Sequence, residues 1–490
     1  HLVTSPCQNA CPIETEVSSY VALIANRKFK EALRINEEAN PLPSVCARVC
    51  HHPCETHCRL GEIDKPVAIR GLKRFLTDYR SRTNGQPSLP QSQTKNIKVA
   101  IIGSGPAGLM AAWKLALMGY QPTVFEAEAV PGGMLAWGIP EYRLPKDILQ
   151  EEIKNIEKLG VKFQLNTRIG QDVSLEDLKN EDYQAIFIAT GCPLNLKMGI
   201  PGEDLPGVID PLAFLKSYNL SGQAKIGKKV VVVGGGNSAL DAARTAWRLG
   251  AEVTILYRRT RTEMPAIPEE VEEALAEGIK IEFLTLPVEA IAENGHLQRI
   301  KCTRMQLGEF DDSGRRRPVP LKGSEFIIEA DTLIPAIGQK PDLSFVNGSQ
   351  QKYNFNLTKW GTLKVDPETM ATNVEGVFAG GDLITGPATV LEAMRMGKIA
   401  AESIDRYLKG ETLTRTYQPL KMKYEVPLFE LTPEQSFELK PQQIPTLNPK
   451  ERKSNFQEVE LGFTENQAVE EAKRCLRCDI ANLRSRGDIT

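Results

Sequence analysis

The sequence has no excess of charge of one sign, no signal-peptide pattern in its first residues as given, and no uninterrupted apolar run long enough to cross a membrane. Its 490 residues carry 60 Lys and Arg against 62 Asp and Glu, a formal net charge of −2, so the charge balance does not favour nucleic-acid binding or a membrane-surface patch. The most apolar window, residues 99–120, is interrupted by Lys114, a proline and several glycines. It is better explained as a strand, a turn and a buried helix than as a membrane span. We expect a cytoplasmic protein with three or four domains.

Cysteine is scarce in the middle of the chain, where Cys192 and Cys302 are isolated and are expected to be small buried residues. The other eight cysteines lie near the two ends, at Cys7, Cys11, Cys46, Cys50, Cys54, Cys58, Cys475 and Cys478. Without an export signal these thiols are expected to bind metal rather than form disulfides. The spacing of three residues between successive cysteines from Cys46 to Cys58 differs from the usual zinc pairs, which favours iron–sulfur clusters over zinc.

The composition changes along the chain and indicates separate domains. Apolar residues at helical spacing predict helices over 17–39 and 69–79, and residues 81–95 have the composition of a linker. From residue 97 to about 408, strands alternate with helices, which predicts an α/β body with parallel sheets. After Gly410 the chain becomes polar and proline-rich, and a short helix over 465–474 leads to Cys475 and Cys478. The predicted boundaries are 1–95 (helical iron–sulfur domain and linker), 96–220 and 336–410 (a first α/β domain in two parts), 221–335 (a second α/β domain) and 411–490 (tail).

Two glycine-rich turns follow strand-like runs. The first turn carries Gly103, Gly105 and Gly108, with Pro106 and Ala107 between them, and Glu126 ends the next predicted strand. Together these features predict an FAD site, with the pyrophosphate at a helix N-terminus and Glu126 on a ribose hydroxyl. Far downstream, Gly381 and Asp382 follow another strand and precede a helix from about Thr389. By its resemblance to the Asp found at this place in two-dinucleotide flavoproteins, Asp382 is expected to bind the ribityl and phosphate region of FAD, and its alternative role is to cap a helix.

The second glycine-rich turn has a similar pattern, with Gly234, Gly236, Asn237 and Ser238. The strand after its helix ends in Arg258 and Arg259 rather than in an acidic residue. Guanidinium groups at this place suit the 2′-phosphate of NADPH. NADPH is therefore predicted in preference to NADH, the alternative being that both arginines are solvated loop charges.

These motifs, together with residues 131–145 and the Ala189-Thr190-Gly191 segment, resemble one flavoprotein family. It includes the small (beta) subunit of NADPH-dependent glutamate synthase, the N-terminal part of dihydropyrimidine dehydrogenase and the large subunit of NADH-dependent ferredoxin–NADP oxidoreductase. The resemblance implies a thioredoxin-reductase-like fold, with two Rossmann-like domains and the NAD(P) domain inserted in the FAD domain. It also implies FAD, NADPH (or NADH) and usually two [4Fe–4S] clusters. Further cofactor contacts expected on this basis are Gly133, Met134, Arg143, Thr190, Gly191 and Gly338.

The same resemblance suggests two cluster ligand sets. The family usually carries a C-x-x-C pair just before the segment that Cys7 and Cys11 match, but here such a pair stands at the opposite end, at Cys475 and Cys478. The tail would therefore return, and Cys7, Cys58, Cys475 and Cys478 would hold one cluster. Cys11, Cys50 and Cys54 would hold the other with a fourth ligand. In the family that ligand is often Gln or Glu, but Lys73 aligns with its place, which leaves Cys46, Glu62 or a different ligand set as alternatives.

The function indicated is an NADPH-linked module that exchanges a hydride with FAD and passes single electrons through the clusters. Its partner would be a larger redox subunit or a ferredoxin-like carrier in a hetero-oligomer. The cofactors carry the chemistry, so no catalytic acid or base is predicted at the hydride step. A disulfide reductase is the alternative, but it needs a cysteine pair near the flavin, and residues 225–335 contain only Cys302. A non-catalytic scaffold is disfavoured because both cofactor turns, the arginine pair and the cysteines are all retained.

Overall fold

The N-terminal region is helical, as its apolar spacing predicts. The computed structural model describes residues 4–83, 92–311, 314–348, 353–414, 424, 426 and 438–480. The helices of this region are α1 (Pro6–Asn9), α2 (Val17–Ala25), α3 (Phe29–Glu38), α4 (Pro43–Val49), α5 (Pro53–Thr56) and α6 (Ile69–Arg82), with a 3₁₀ turn at Arg59–Glu62. The predicted linker begins later than expected, because α6 includes its first two residues, and positions 84–91 lie outside the described residues.

The prediction of one continuous helix over residues 17–39 is wrong. The chain reverses between α2 and α3, where Arg27 adopts a left-handed conformation with φ of 55°. Every residue of α2 is buried, whereas α3 buries only one side. The reversal allows Phe29 to pack edge-on against Phe75 of α6, at 5.0 Å between ring centroids. Periodicity alone does not reveal such a break, because both helices keep the same apolar spacing.

The body contains a five-stranded parallel sheet in the order β15-β4-β1-β2-β3. Its strands are β1 (Lys98–Ile102), β2 (Gln121–Phe125), β3 (Lys162–Gln164), β4 (Tyr183–Ile188) and β15 (Val377–Ala379). Its helices are α7 (Pro106–Leu117), α8 (Met134–Trp137), α9 (Lys146–Glu157), α10 (Leu175–Asn180), α14 (Ser344–Gly348), α15 (Asp382–Thr385) and α16 (Val390–Leu408). The last strand comes from far downstream, so a second unit is inserted in this domain.

The inserted unit contains a parallel sheet in the order β13-β6-β7-β8. These strands are β6 (Lys229–Val233), β7 (Glu252–Tyr257), β8 (Lys280–Phe283) and β13 (Thr332–Pro335), with α11 (Pro211–Ser221), α12 (Asn237–Arg248) and α13 (Pro268–Ala276) beside them. An antiparallel sheet adds β9 (Thr285–Glu293), β10 (His296–Phe310), β11 (Arg316–Pro320) and β12 (Phe326–Glu329). A short ribbon pairs β5 (Leu194–Asn195) with β14 (Gln339–Lys340) where the chain enters and leaves this unit.

The N-terminal helices share a core with the first parallel sheet. Val45, Cys46 and Val49 of α4 belong to the same buried cluster as α7, α9 and α16. The sulfur of Cys46 lies 3.7 Å from that of Met394. The helical domain is therefore packed directly on the first dinucleotide-binding domain.

The described part of the tail contacts the helical domain, the first dinucleotide-binding domain and, through Arg452, the inserted unit. Its last helix, α17 (Glu465–Lys473), buries Ala468, Val469 and Ala472 in the core of the helical domain. The preceding segment donates a backbone hydrogen bond from Val459 to the carbonyl of Tyr142, at 2.9 Å. Gly71 of α6 gives this segment room, because a Cβ there would lie 2.7 Å from the ring of Phe463.

Buried ion pairs anchor the same segment. Arg70 of α6 makes two contacts of 2.6 Å with Glu460. Near the 3₁₀ turn Pro449–Arg452, Arg452 pairs with Glu273 of α13 and with Glu277, which also binds Arg244 and Arg248. Arg452 is only 2% exposed, so its charge is balanced by these carboxylates rather than by water.

Among the described residues, no helix is both long and apolar enough to cross a membrane.

We expect Arg452→Ala to destabilise the protein strongly. Removing one partner of a buried ion pair costs up to about 3–5 kcal/mol, and the loss here is smaller than that limit because Arg244 and Arg248 remain beside Glu277. Thermal unfolding of the purified chain would measure the change. The control is Arg27→Ala, because Arg27 also joins the tail to the helical domain, through Glu465, but both side chains of that pair are about half exposed. An exposed pair is worth roughly 0–1 kcal/mol, so equal losses in the two variants would contradict the anchoring role of Arg452.

Candidate functional site

The first glycine turn has the geometry of a phosphate-binding loop. Gly103 has φ of 101°, and a Cβ there would lie 2.5 Å from the carbonyl oxygen of Ala189. A Cβ on Gly108 would lie 2.0 Å from the carbonyl oxygen of Gly103, so α7 packs against the turn only because both residues lack side chains. A Cβ on Gly105 would meet nothing within 4 Å. The N-terminus of α7 is thus open to an anionic group.

Glu126 lies at the end of β2 and is 7% exposed. One carboxylate oxygen accepts hydrogen bonds from the backbone N–H and the hydroxyl of Ser104, at 3.0 and 2.5 Å. The other accepts the backbone N–H of Glu128, at 2.9 Å. These donors fix the carboxylate at the wall of the cavity. Sequence analysis missed Ser104, although it stands between two of the motif glycines.

A cavity of about 340 Å³ opens beside this turn, which is a volume typical of small-molecule sites. Most of the predicted cofactor residues line it: Gly103, Gly105, Pro106, Ala107, Glu126, Gly133, Met134, Arg143, Thr190, Gly191, Asn237, Ser238, Gly381, Asp382 and Thr389. Asn237 and Ser238 begin α12, so the second glycine turn reaches the same cavity as the first. Burial raises the pKa of Asp382 to about 6, although the backbone N–H of Ala388 opposes the shift.

Six predicted residues do not line the cavity: Gly108, Gly234, Gly236, Gly338, Arg258 and Arg259. Gly108 packs inside the first turn, as described above. A Cβ on Gly234 would lie 2.2 Å from the carbonyl oxygen of Ala336, whereas Gly236 stands open at the start of α12. Gly338 adjoins the short ribbon between the two domains. Gly234 therefore shapes the second turn in the way that Gly103 shapes the first.

Arg143 has a role that the sequence does not reveal. Its guanidinium forms ion pairs with Asp241 of α12, at 2.7 Å, and with Glu270 of α13, at 2.9 Å. Arg143 belongs to the FAD-binding half and both carboxylates to the inserted unit. The residue thus joins the two halves at the edge of the cavity.

Arg258 and Arg259 differ in how far their side chains are exposed to solvent. Arg258 is exposed, whereas Arg259 is 3% exposed. Arg259 donates to the carbonyl of Arg316 at 2.7 Å and pairs with Asp311 at 2.6 Å. Only Arg258 of the two presents its side chain at the surface.

Besides the two dinucleotide-binding domains, the helical domain also lines the cavity. Val49 and His51 line the cavity, and Cys50 stands between them in the chain. The Nδ1 atom of His51 is buried and has no hydrogen-bond partner in the described part of the chain. Burial lowers the pKa of His51, which favours a neutral imidazole. Nothing in the sequence distinguishes His51 from the nearby histidines, so its position at the cavity was not predicted.

Four thiols from both ends of the chain meet at a small apolar cavity. Cys7, Cys58, Cys475 and Cys478 line it, as the tail-return hypothesis requires. The tail is held there by Glu471, which accepts the backbone N–H of Ala68 at 2.8 Å, beside the first turn of α6. A carboxylate at a helix N-terminus is favourable because it binds unpaired N–H groups.

The remaining thiols surround one buried lysine. Burial lowers the pKa of Lys73, but the neighbouring thiols Cys46, Cys11, Cys50 and Cys54 outweigh it and raise the pKa above its ordinary value. Cys46 lies in the same buried cluster as Cys11 and Cys50, and its sulfur also contacts Asn40 at 3.8 Å. Glu62, the other alternative for a fourth ligand, is exposed.

The donor chemistry fits clusters better than a single ion. Burial raises the pKa of Cys7 to about 11 and that of Cys475 to about 12, so these thiols keep their protons unless a metal replaces them. Thiols spread around a cavity suit a [4Fe–4S] cluster, because each of its cysteines binds a different iron.

A disulfide-reductase site would need two cysteines beside the flavin. Among the described residues, Cys192 lines the large cavity, where its thiol contacts the carbonyl of Asp382 at 3.1 Å. Cys302 is fully buried in the antiparallel sheet. The geometry therefore disfavours this alternative.

Comparison with known proteins agrees with the geometry. Residues 97–397 match the family model of the pyridine nucleotide-disulphide oxidoreductases. Residues 3–85 match the model described as dihydropyrimidine dehydrogenase domain II, 4Fe-4S cluster. The chain is 46% identical over 505 residues to the beta subunit of the NADP(+)-dependent formate dehydrogenase of Moorella thermoacetica, covering 97% of this chain and 71% of that protein. It is 32% identical to the small chain of NADPH glutamate synthase from Azospirillum brasilense, covering 83% and 86%.

Among solved structures, the fold is similar to that of Mycobacterium tuberculosis FprA in complex with NADPH. The TM-score is 0.56 at 19% identity, over 64% of this chain and 85% of FprA. These findings confirm the resemblance and the predicted fold class.

We expect Glu126→Ala to weaken FAD binding. Hydrogen bonds to a charged group contribute about 1.5–3 kcal/mol, or roughly 10- to 100-fold in affinity. Titration of the deflavinated protein with FAD would measure the loss. Glu128→Ala is the control, because Glu128 lines the same cavity but pairs with Lys216. An unchanged dissociation constant for Glu126→Ala would exclude a direct contact with FAD.

Proposed function

The chain belongs to the pyridine nucleotide-disulphide oxidoreductase family and carries a 4Fe–4S domain, and we propose that its two thiol sets hold two [4Fe–4S] clusters that link a flavin to a partner protein. It is an NADPH-dependent flavin and iron–sulfur oxidoreductase. A bound FAD would supply the chemistry that links the two-electron hydride of NADPH to the one-electron chemistry of iron–sulfur centres. The number of clusters, their ligands and the order of transfer are the substance of the proposal.

The convergence of three domains on one cavity carries this proposal. The first turn enters through Gly105, the second through Asn237, and the helical domain through His51. Hydride transfer requires nicotinamide and flavin to touch, so both glycine turns must serve one space. Electron transfer to a cluster requires that one of its ligands lies near the flavin. Cys50 would meet this requirement, because its neighbours in the chain, Val49 and His51, both line the cavity.

The protein's side chains would position the cofactors and hold the domains together, rather than act as acids or bases. Glu126 and Asp382 would bind the polar parts of FAD, and Thr190 and Gly191 would border it. Arg143 keeps the two dinucleotide domains together through Asp241. Since the hydride step needs no side-chain base, positioning and exclusion of water are the main contributions of the protein.

The thiol sets would act in series. The set around Lys73 is the inner one, because Cys11, Cys46 and Cys50 are buried and Cys50 adjoins the cavity. The set that includes Cys475 and Cys478 is more exposed and would be the outer one. Electrons would therefore pass from the flavin to the inner set, to the outer set and then to the partner.

The partner is proposed to be a larger redox subunit or a ferredoxin-like carrier. The relatives are named as a beta subunit and a small chain, which supports assembly in a hetero-oligomer. One of them is named for formate dehydrogenation and the other for glutamate synthesis, so this module would serve partners of different chemistry.

The main test is anaerobic reduction by NADPH. The purified protein should show flavin absorbance that NADPH bleaches, and iron analysis should find about eight irons per chain, four for each cluster. The Cys475→Ser/Cys478→Ser variant should lose about four irons and keep its FAD. NADPH should still bleach its flavin, but reduction of an external one-electron acceptor protein should fail.

Cys302→Ser is the control for that variant. Cys302 is buried in the antiparallel sheet and lies far in the sequence from both thiol sets, so this variant should keep all its irons. If the double variant retains its full iron content, the return of the tail as a source of ligands is wrong.

A further inference from the structure

We propose that His51 donates a hydrogen bond from its Nε2 atom to the isoalloxazine ring of bound FAD and thereby raises the reduction potential of the flavin. The inference deepens the proposed function and rests on it, because it concerns the wall at which the flavin cavity meets the inner thiol set. It gives a direct contact with the cofactor to a residue that the motifs of the sequence do not include.

A sharp turn between α4 and α5 brings His51 to the cavity. Cys50 is extended at the end of α4, with φ of −66° and ψ of 136°, and His52 is left-handed, with φ of 40°. A left-handed conformation is uncommon for a residue with a side chain and costs free energy. The backbone N–H of His52 donates to the sulfur of Cys50 at 3.2 Å, which holds the turn. His51 thus lines the cavity while Cys50 stays buried.

The helical domain meets the cavity beside the first turn of α16. Val49, the last residue of α4, belongs to the buried cluster that contains Leu391 and Ala393 of α16. Val49 and Val390 both line the cavity. His51, two residues after α4, therefore lies where the helical domain and α16 border the same space.

The two ring nitrogens of His51 have different surroundings. Nδ1 is sealed from solvent and has no hydrogen-bond partner in the described part of the chain. Nε2 makes no hydrogen bond to a described residue either, but it is not sealed. Because the side chain lines the cavity, Nε2 is the nitrogen that is open to a ligand there.

These surroundings determine which nitrogen carries the proton. An imidazolium would bury a charged N–H at Nδ1 without an acceptor, which is costly. A neutral imidazole has one N–H, and its other nitrogen is an acceptor. Unpaired buried N–H groups are rarer in proteins than unpaired acceptors, so Nδ1 is the nitrogen without the proton. Nε2 therefore carries the hydrogen and donates into the cavity.

Electron transfer indicates which part of the cofactor meets this donor. Electrons leave FAD from its isoalloxazine ring, and Cys50, the proposed cluster ligand, is the chain neighbour of His51. The ring must therefore lie toward this wall. A ring that has received a hydride carries one more negative charge, and a hydrogen bond to a charged acceptor is about twice as strong as one to a neutral acceptor. His51 thus stabilises the reduced ring more than the oxidised ring.

The test is the two-electron midpoint potential of the flavin, measured by spectroelectrochemical titration of the full-length protein loaded with FAD and iron. H51L removes the donor and keeps an apolar side chain at the wall. We expect it to weaken the binding of reduced FAD about tenfold more than that of oxidised FAD. That ratio corresponds to a fall of about 30 mV in the potential of a two-electron couple. H51Q offers an amide N–H at a similar reach and should restore most of the potential.

H57L is the matched control. His57 belongs to the same helical domain, but it is exposed and its Nδ1 atom contacts the carbonyl of Pro53 at 2.9 Å. The flavin of H57L should keep the potential of the unmodified protein. H51M has a flexible apolar side chain and replaces H51L if that variant folds poorly. Loss of iron from both H51L and H51M would assign His51 to the cluster instead and would overturn the contact with FAD.

The contact would also be overturned if H51L kept the potential of H57L, or if H51Q fell as far as H51L, since His51 would then only fill space. A larger dissociation constant for oxidised FAD with an unchanged potential would place the contact on the ribityl or phosphate part, against the ring assignment. Failure of the proposed function would look different, because NADPH would then not bleach the flavin of the unmodified protein.

Discussion

The attachment of the tail by buried arginine–carboxylate pairs is the constraint on which the rest of the structure depends. Arg452 reaches the inserted domain through Glu277, and Glu460 reaches the helical domain through Arg70. Between them the chain bonds to Tyr142 of the first dinucleotide domain. Because the arginines of these pairs are largely withdrawn from water, breaking a pair is costly. A single segment of chain thereby sets the relative placement of three domains and brings Cys475 and Cys478 to the N-terminal thiols.

That placement is what an electron-transfer module requires. A hydride passes only between cofactors in contact, while single electrons pass onward only to a centre nearby, so the domains must meet at one cavity. Arg143 joins the two dinucleotide domains at its edge, and Val49 and His51 complete the wall. Alternatives that lack this convergence fit less well: a disulfide reductase has no use for a thiol-rich domain beside the flavin. The chemistry belongs to the cofactors, and the protein supplies their geometry.

The charges near the thiols differ between the two sets. The inner set surrounds Lys73, a buried cation, whereas the outer set has Arg477 paired with Asp479 close by. A buried positive charge favours the reduced, more negative state of a neighbouring centre because their attraction is weakly screened. The cluster that we propose for the inner set would thus be electrostatically suited to accept electrons from the flavin.

Local features were predictable from the sequence because they depend on neighbouring residues. Glycines at Gly103 and Gly234 specify tight turns, and Glu126 follows at a fixed distance along the βα unit. Cysteine spacing indicated clusters, and the displaced C-x-x-C pair indicated the return of the tail. Other features were decided only by tertiary structure. The reversal at Arg27, the burial of Arg259 against Asp311, the position of His51 and the cation among the inner thiols all depend on partners far away in the chain. Periodicity and motif spacing carry no information about such partners, since burial and charge pairing are set by how the domains pack.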